Sequence, residues 1–274
     1  MTLSHQVNSS NSNPLQKHRI NWFKYASPPV FYPLAGKIFP WFFAIAAILA
    51  ILGLYVGFVL APTDFQQGDA YRIIFLHVPA AWMSMFIYMV MAFWAGIGLA
   101  FNTRLSSMMA SALAPTGAMF TFLALWTGAL WGRPTWGAWW VWDARLTSEL
   151  ILLFLYIGFM ALQSSIDDAR RADKAGAVLA LVGVINVPII YFSVQWWNTL
   201  HQGSSINMTS APSMAMTMLL GMLIMALSFW AYAIAMTLYR VRCIMLERDR
   251  RADWVGSLMH ETTTIQNDRT EQVR

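Results

Sequence analysis

The chain has 274 residues, 58% of them hydrophobic and 11% charged, with a formal net charge of +5. Soluble globular domains carry about 25% charged residues, so this balance excludes an ordinary soluble enzyme and points to a bilayer. A single cysteine, Cys243, excludes an intramolecular disulfide and any metal site built from several thiolates.

Residues 1–37 are polar, begin in a Ser/Asn-rich stretch, and lack the apolar core and cleavage site of a signal peptide. They read as a cytoplasmic tail. Six apolar segments then follow, each near the roughly 20 residues that cross a hydrocarbon core. They are Ile38–Leu60, Val78–Phe101, Met108–Trp131, Leu146–Gln163, Gly176–Val194 and Met214–Tyr239. A backbone in lipid must satisfy its own hydrogen bonds, and the short alternating segments of a barrel are absent, so the segments are helices. The expected fold is all-α: a six-span integral membrane domain over residues 38–240, closed by a second cytoplasmic tail, residues 241–274. Pro115 and Pro188 mark places where the third and fifth helices can kink.

Orientation follows from the basic residues. All Lys and Arg except Arg72, Arg133 and Arg145 lie in the two tails or in the short second and fourth connections. The positive-inside rule then puts both termini in the cytoplasm and the first, third and fifth connections outside. Placed this way, the basic excess serves topology and contact with anionic membrane lipid, and nucleic acid is not needed to explain it.

The third connection carries the strongest signal. It reads WGRPTWGAWWVWDAR and holds Trp131, Trp136, Trp139, Trp140 and Trp142, with Gly132, Pro134 and Gly137 between them. An interfacial belt explains one or two tryptophans at a span end. Five of them, interrupted by turn residues, describe a shaped platform for a large, flat, apolar ligand. Asp143 precedes the fourth helix and is placed to cap it. Arg145 and Glu149 are one helical turn apart. They can pair with each other, or Arg145 can face a carboxylate on the ligand. Arg72 and Arg133 are the other candidates for that contact.

His77 lies at the outer mouth of the second span, in RIIFLHVPAAW, and His201 in the fifth connection, in QWWNTLHQG. Two neutral imidazoles on opposite faces of a porphyrin would ligate haem iron axially. A zinc enzyme facing outward is the alternative, with Asp64, Asp69 or Asp143 as third ligand. Zinc gives no reason for the cluster of indoles, and haem does. Mid-span ionisable groups are scarce and internal repeats are not evident, which disfavours a solute permease.

The run WGRPTWGAWWVWDARLTSEL resembles the signature of the tryptophan-rich haem-handling membrane proteins of cytochrome c biogenesis. APTDFQQGDAYRIIFLHVPAAW and QWWNTLHQGSSI resemble the same family in the flanking connections. The resemblance covers residues 38–240, and six spans set the chain apart from the larger members. It implies that His77 and His201 are the axial ligands of haem b. It implies that Trp131, Trp136, Trp140 and Asp143 hold haem and engage a periplasmic haem chaperone, maturation protein E. The implied setting is the bacterial inner membrane, with the active face periplasmic. The implied partners are the ATP-driven complex of maturation proteins A and B and the small membrane protein D. The chain would then be a haem transfer factor and not itself an enzyme. It has no phosphate-binding loop of its own, so ATP would be used by a partner.

Overall fold

The computed structural model describes residues 26–197, 199–201, 214–258 and 260. The beginning of the N-terminal tail, most of the fifth connection beyond His201 and the end of the C-terminal tail lie outside these residues. Among the described residues the main helices are, in order, α1 Pro28–Tyr55, α2 Ile74–Phe101, α3 Arg104–Trp136, α4 Ala144–Ser164, α5 Ala169–Gly183, α6 Asn186–Trp196 and α7 Met216–Arg248. A π-helical turn, Val56–Leu60, ends α1, and a 3-10 turn, Asp69–Ile73, leads into α2. With α5 and α6 counted as one broken span, six helical segments among the described residues are long and apolar enough to cross a membrane. The all-α six-span expectation holds.

Four of these segments are 33 residues long, about 50 Å at 1.5 Å per residue, against a hydrocarbon core of about 30 Å. The helices therefore run well past the apolar stretches that reveal them in the sequence. α1 begins at Pro28, where proline supplies the fixed φ of a first helical turn, so residues 28–37 of the expected tail are helical. α7 likewise continues from Tyr239 to Arg248. The fifth span is interrupted at Val184 and Ile185, three residues before Pro188. Proline at that position removes the amide that would bond to the Val184 carbonyl, so the ladder breaks there. Pro115 sits inside α3 without interrupting it.

α2 and α3 form the centre, packed along their length, with α4 and α5 on one flank and α7 on the other; α1 lies outermost against α7. The main core joins Tyr88, Met91, Phe120, Tyr156, Phe159 and Ile190. Two approaches depend on glycine. A Cβ on Gly117 would lie 2.1 Å from the Tyr156 ring, and one on Gly57 would lie 2.6 Å from Phe75. Such small-residue contacts let membrane helices gain packing energy where no hydrophobic driving force separates lipid from protein. Trp41, Ile51, Phe93 and Val182 stand exposed around the perimeter, as side chains facing acyl chains do.

Candidate functional site

α3 does not stop at Trp131. It continues to Trp136 and ends at Gly137, whose φ of +77° is the left-handed conformation that closes helices and that glycine adopts freely. The expected turn beginning at Trp131 is therefore corrected. Trp131, Gly132, Pro134 and Trp136 ride on the last turns of a helix, and only residues 137–143 form the connection. Pro134 lies within this last stretch, where it supplies no amide to the Leu130 carbonyl, yet the helix continues to Trp136. The Arg133 guanidinium donates to the Gly137 carbonyl and folds over this end.

The helical placement divides the indoles into two sets. Trp131 and Trp136 line a cleft; Trp139 and Trp142 are 55% and 76% exposed outside it. Trp140 lies edge-on to Trp142, ring centroids 5.4 Å apart, with its Nε1 buried and without a hydrogen-bond partner. Trp131 is fixed by donating from Nε1 to Gln67 Oε1 at 2.7 Å. That bond ties α3 to the first connection, where Asp64 Oδ1 in turn accepts from the Gln66 and Gln67 amides.

The cleft opens to the surface and spans about 720 Å³, its open mouth included. Its walls are His77 and Ala81 of α2, Ala124 to Trp136 of α3, Arg145 and Glu149 of α4, and His201. His77 is buried. Its Nδ1 lies 3.0 Å from the Ala124 carbonyl oxygen and 3.1 Å from Thr127 Oγ1. A carbonyl can only accept, so Nδ1 carries the hydrogen and Nε2 keeps its lone pair. Thr127 donates its own hydroxyl to the Leu123 carbonyl at 2.6 Å and so presents an acceptor to the ring. Gly128 lets the α3 backbone come close: a Cβ there would lie 3.0 Å from His77 Cε1.

The two histidines meet. Their ring centroids are 6.3 Å apart and their planes differ by 32°. Trp131 stands edge-on to His77 at 5.6 Å, and Trp136 edge-on to His201 at 6.0 Å, so each imidazole has its own indole.

The three arginines are sorted by the structure. Arg72 donates to the Gly57 carbonyl at 2.7 Å and pairs with Asp69 at 3.0 Å, which ties the π turn of α1 to the start of α2. Arg133 closes its helix. Arg145 alone of the three lines the cleft. Its expected ion pair with Glu149 is not formed at contact distance among the described residues. Glu149 is turned between helices to accept from Ser84 Oγ at 2.7 Å, and Ser84 is itself braced by Tyr156. Asp143 caps α4 through Oδ1, which accepts from the Leu146 amide at 2.8 Å; its Oδ2 is buried without a partner. Thr127, Gly128, Gln67 and Ser84 escaped the sequence reading, since each acts through contacts between helices that no local pattern records.

Among the described residues no group of three His, Cys, Asp or Glu is placed to hold a metal ion, although Glu149 shares the cleft with the two histidines. Asp64, Asp69 and Asp143 are each engaged locally, in a turn, an ion pair and a helix cap.

Among the described residues, six apolar helical segments with a histidine pair set among indoles at one end define a multi-pass membrane protein with a cleft at one end of its bundle. The sequence pattern of the family described as Heme exporter protein C matches residues 21–256, and the chain belongs to that family. It is 48% identical to the Heme exporter protein C of Escherichia coli K12 over 234 residues, which cover 85% of this chain and 94% of that one. The protein of the same description from Bradyrhizobium diazoefficiens is 48% identical over 228 residues, 83% of this chain and 86% of its own. The one from Haemophilus influenzae is 44% identical over 234 residues, 85% and 95% of the respective chains.

Proposed function

We propose that this protein binds haem b in the cleft between His77 and His201 and passes it on for cytochrome c biogenesis. The observation that carries the reading is the pairing of the two imidazoles. Rings that flank a single metal, each bonded through one nitrogen at about 2 Å, have centres roughly 6 Å apart; these are 6.3 Å apart. The residues fit such a cargo. His77 offers the Nε2 lone pair because Ala124 and Thr127 hold its other nitrogen, the arrangement that orients metal-binding histidines generally. Trp131 and Trp136 supply apolar wall, and Arg145 supplies a guanidinium for a propionate. Haem would bring the iron; the chain supplies ligands, wall and counter-charge.

The cleft end faces the periplasm in this reading, in the bacterial inner membrane, with both termini cytoplasmic. The support is the distribution of Lys and Arg. Trp139 and Trp142, exposed on either side of the turn that leads to Asp143, then form the surface on which the haem chaperone, maturation protein E, docks. Maturation proteins A and B would supply the ATP-driven step, with protein D attached. Metal analysis and absorption spectra of the purified protein test the reading. Iron with a low-spin spectrum supports it. Stoichiometric zinc without haem would overturn it in favour of the enzyme alternative.

A further inference from the structure

A second cleft lies at the end of the bundle opposite His77. It is formed where α2 turns into α3, where α5 begins and where α7 ends, and it spans about 750 Å³, its open mouth included. Four cations line it, Arg104, Arg170, Lys174 and Arg248, with one acid, Asp173. Asp173 is consumed by Arg248, which donates to both its oxygens at 2.7 and 2.8 Å. Arg104 reaches Asp249, a buried carboxylate that also accepts from Trp254 Nε1. Arg248 and Arg104 are thereby held in place by their own counter-ions. Arg170 and Lys174, one turn apart on α5, are exposed and form no ion pair among the described residues. The result is a fixed recess with a surplus of positive charge.

Polar and apolar surface are segregated in it. Asn102 and Thr103 stand beside the cations, whereas Gly98 and Leu99 of α2 form the side towards the perimeter, next to Phe101, which is 74% exposed. We propose that this cleft binds the phosphate headgroup of an anionic phospholipid, with the acyl chains lying along Leu99 and Phe101. Basic recesses between helices at a membrane boundary recognise such headgroups through charge and donor number. Inorganic phosphate shares the headgroup chemistry but cannot use the apolar wall. The bound lipid would bridge the α2–α3 turn to α5 and α7.

The test is native mass spectrometry of the full-length protein exchanged into phosphatidylglycerol, phosphatidylcholine or inorganic phosphate at matched concentration. The expected result is selective retention of phosphatidylglycerol. R170Q/K174Q should weaken that retention roughly thirtyfold, about a factor of five per cation. R171Q, on the same turn but outside the cleft, should leave it unchanged. Equal retention of both lipids, or equal loss in R171Q, would overturn the proposal by showing only general surface attraction. Binding of inorganic phosphate as tight as that of phosphatidylglycerol would remove the lipid from it. Displacement of all three by an acidic partner segment at lower concentration would reassign the cleft to protein docking.

Discussion

His77 and His201 face one another across a single cleft, ring centroids 6.3 Å apart, although one belongs to the second helix and the other to the approach to the last. The pairing brings the start of α2, held by Ala124 and Thr127 of α3, together with the segment that follows α6.

Thr127→Val keeps the shape of the side chain and removes the acceptor 3.1 Å from His77 Nδ1. The Ala124 carbonyl stays, so the tautomer persists but the ring is less firmly aimed. Haem affinity should fall about tenfold, as for other groups that orient a ligand from behind, with thermal stability near that of the parent. Titration of the purified variant with haem measures it; unchanged affinity would assign the orientation to Ala124 alone.

The arginines separate by experiment as they do in space. Arg145→Ala should weaken haem retention by roughly ten- to a hundredfold, the cost of one lost charge-assisted contact. Arg133→Ala should leave retention intact. Arg72→Ala should instead lower stability by about 1–3 kcal/mol, since the Gly57 carbonyl and Asp69 lose their partner. Melting curves and haem content of the three variants, taken together, check the sorting. Loss of haem from Arg133→Ala with a normal melting temperature would contradict it.

Asp143 has two oxygens with different duties. Asp143→Asn keeps a capping oxygen for the Leu146 amide, whereas Asp143→Ala loses it at a cost of about 1 kcal/mol. If the buried second oxygen holds the Trp139–Trp142 turn in the shape the chaperone docks on, both variants should reduce chaperone co-purification while haem content stays close to normal. Only the alanine variant should also melt earlier. Normal chaperone recovery with Asp143→Asn would reduce the residue to a helix cap.

Two glycines give a contrast between packing and site. Gly117→Ala forces a methyl group into the Tyr156 ring and should destabilise the bundle by about 1–3 kcal/mol. Gly128→Ala presses on His77 instead, at 3.0 Å, and should lower haem occupancy with helix content unchanged. Circular dichroism on heating and the haem-to-protein ratio distinguish them. The assignment of Gly128 fails if the alanine variant takes up haem like the parent.

The sequence displays the spans because lipid leaves an uninterrupted apolar record, and Leu146–Gln163 differs from the observed Ala144–Ser164 by only a few residues. It hides the helix ends because turns beyond the lipid are polar or aromatic and resemble connections. Trp131–Trp136 is the clearest case, since Gly132 and Pro134 there read as turn residues although they lie in α3. The sequence grouped His77, His201 and all five indoles; the structure brings His77, His201, Trp131 and Trp136 to one cleft and leaves Trp139, Trp140 and Trp142 outside it. Arg145 could not be ranked above Arg72 and Arg133, because that choice depends on the Gly57 and Gly137 carbonyls occupying the other two. Thr127 was hidden for the same reason: a threonine in an apolar helix acquires a role only when α2 brings an imidazole to it.

The most direct test of the two-histidine cleft is the absorption and electron paramagnetic resonance of His77→Ala, His201→Ala and the double variant, each compared with the parent. The account predicts a low-spin ferric signal in the parent and a high-spin signal in each single variant that returns towards low spin when imidazole is added. It predicts loss of haem from the double variant. A double variant that retains haem with the parent's low-spin spectrum would show that other residues ligate the iron, and would contradict the account.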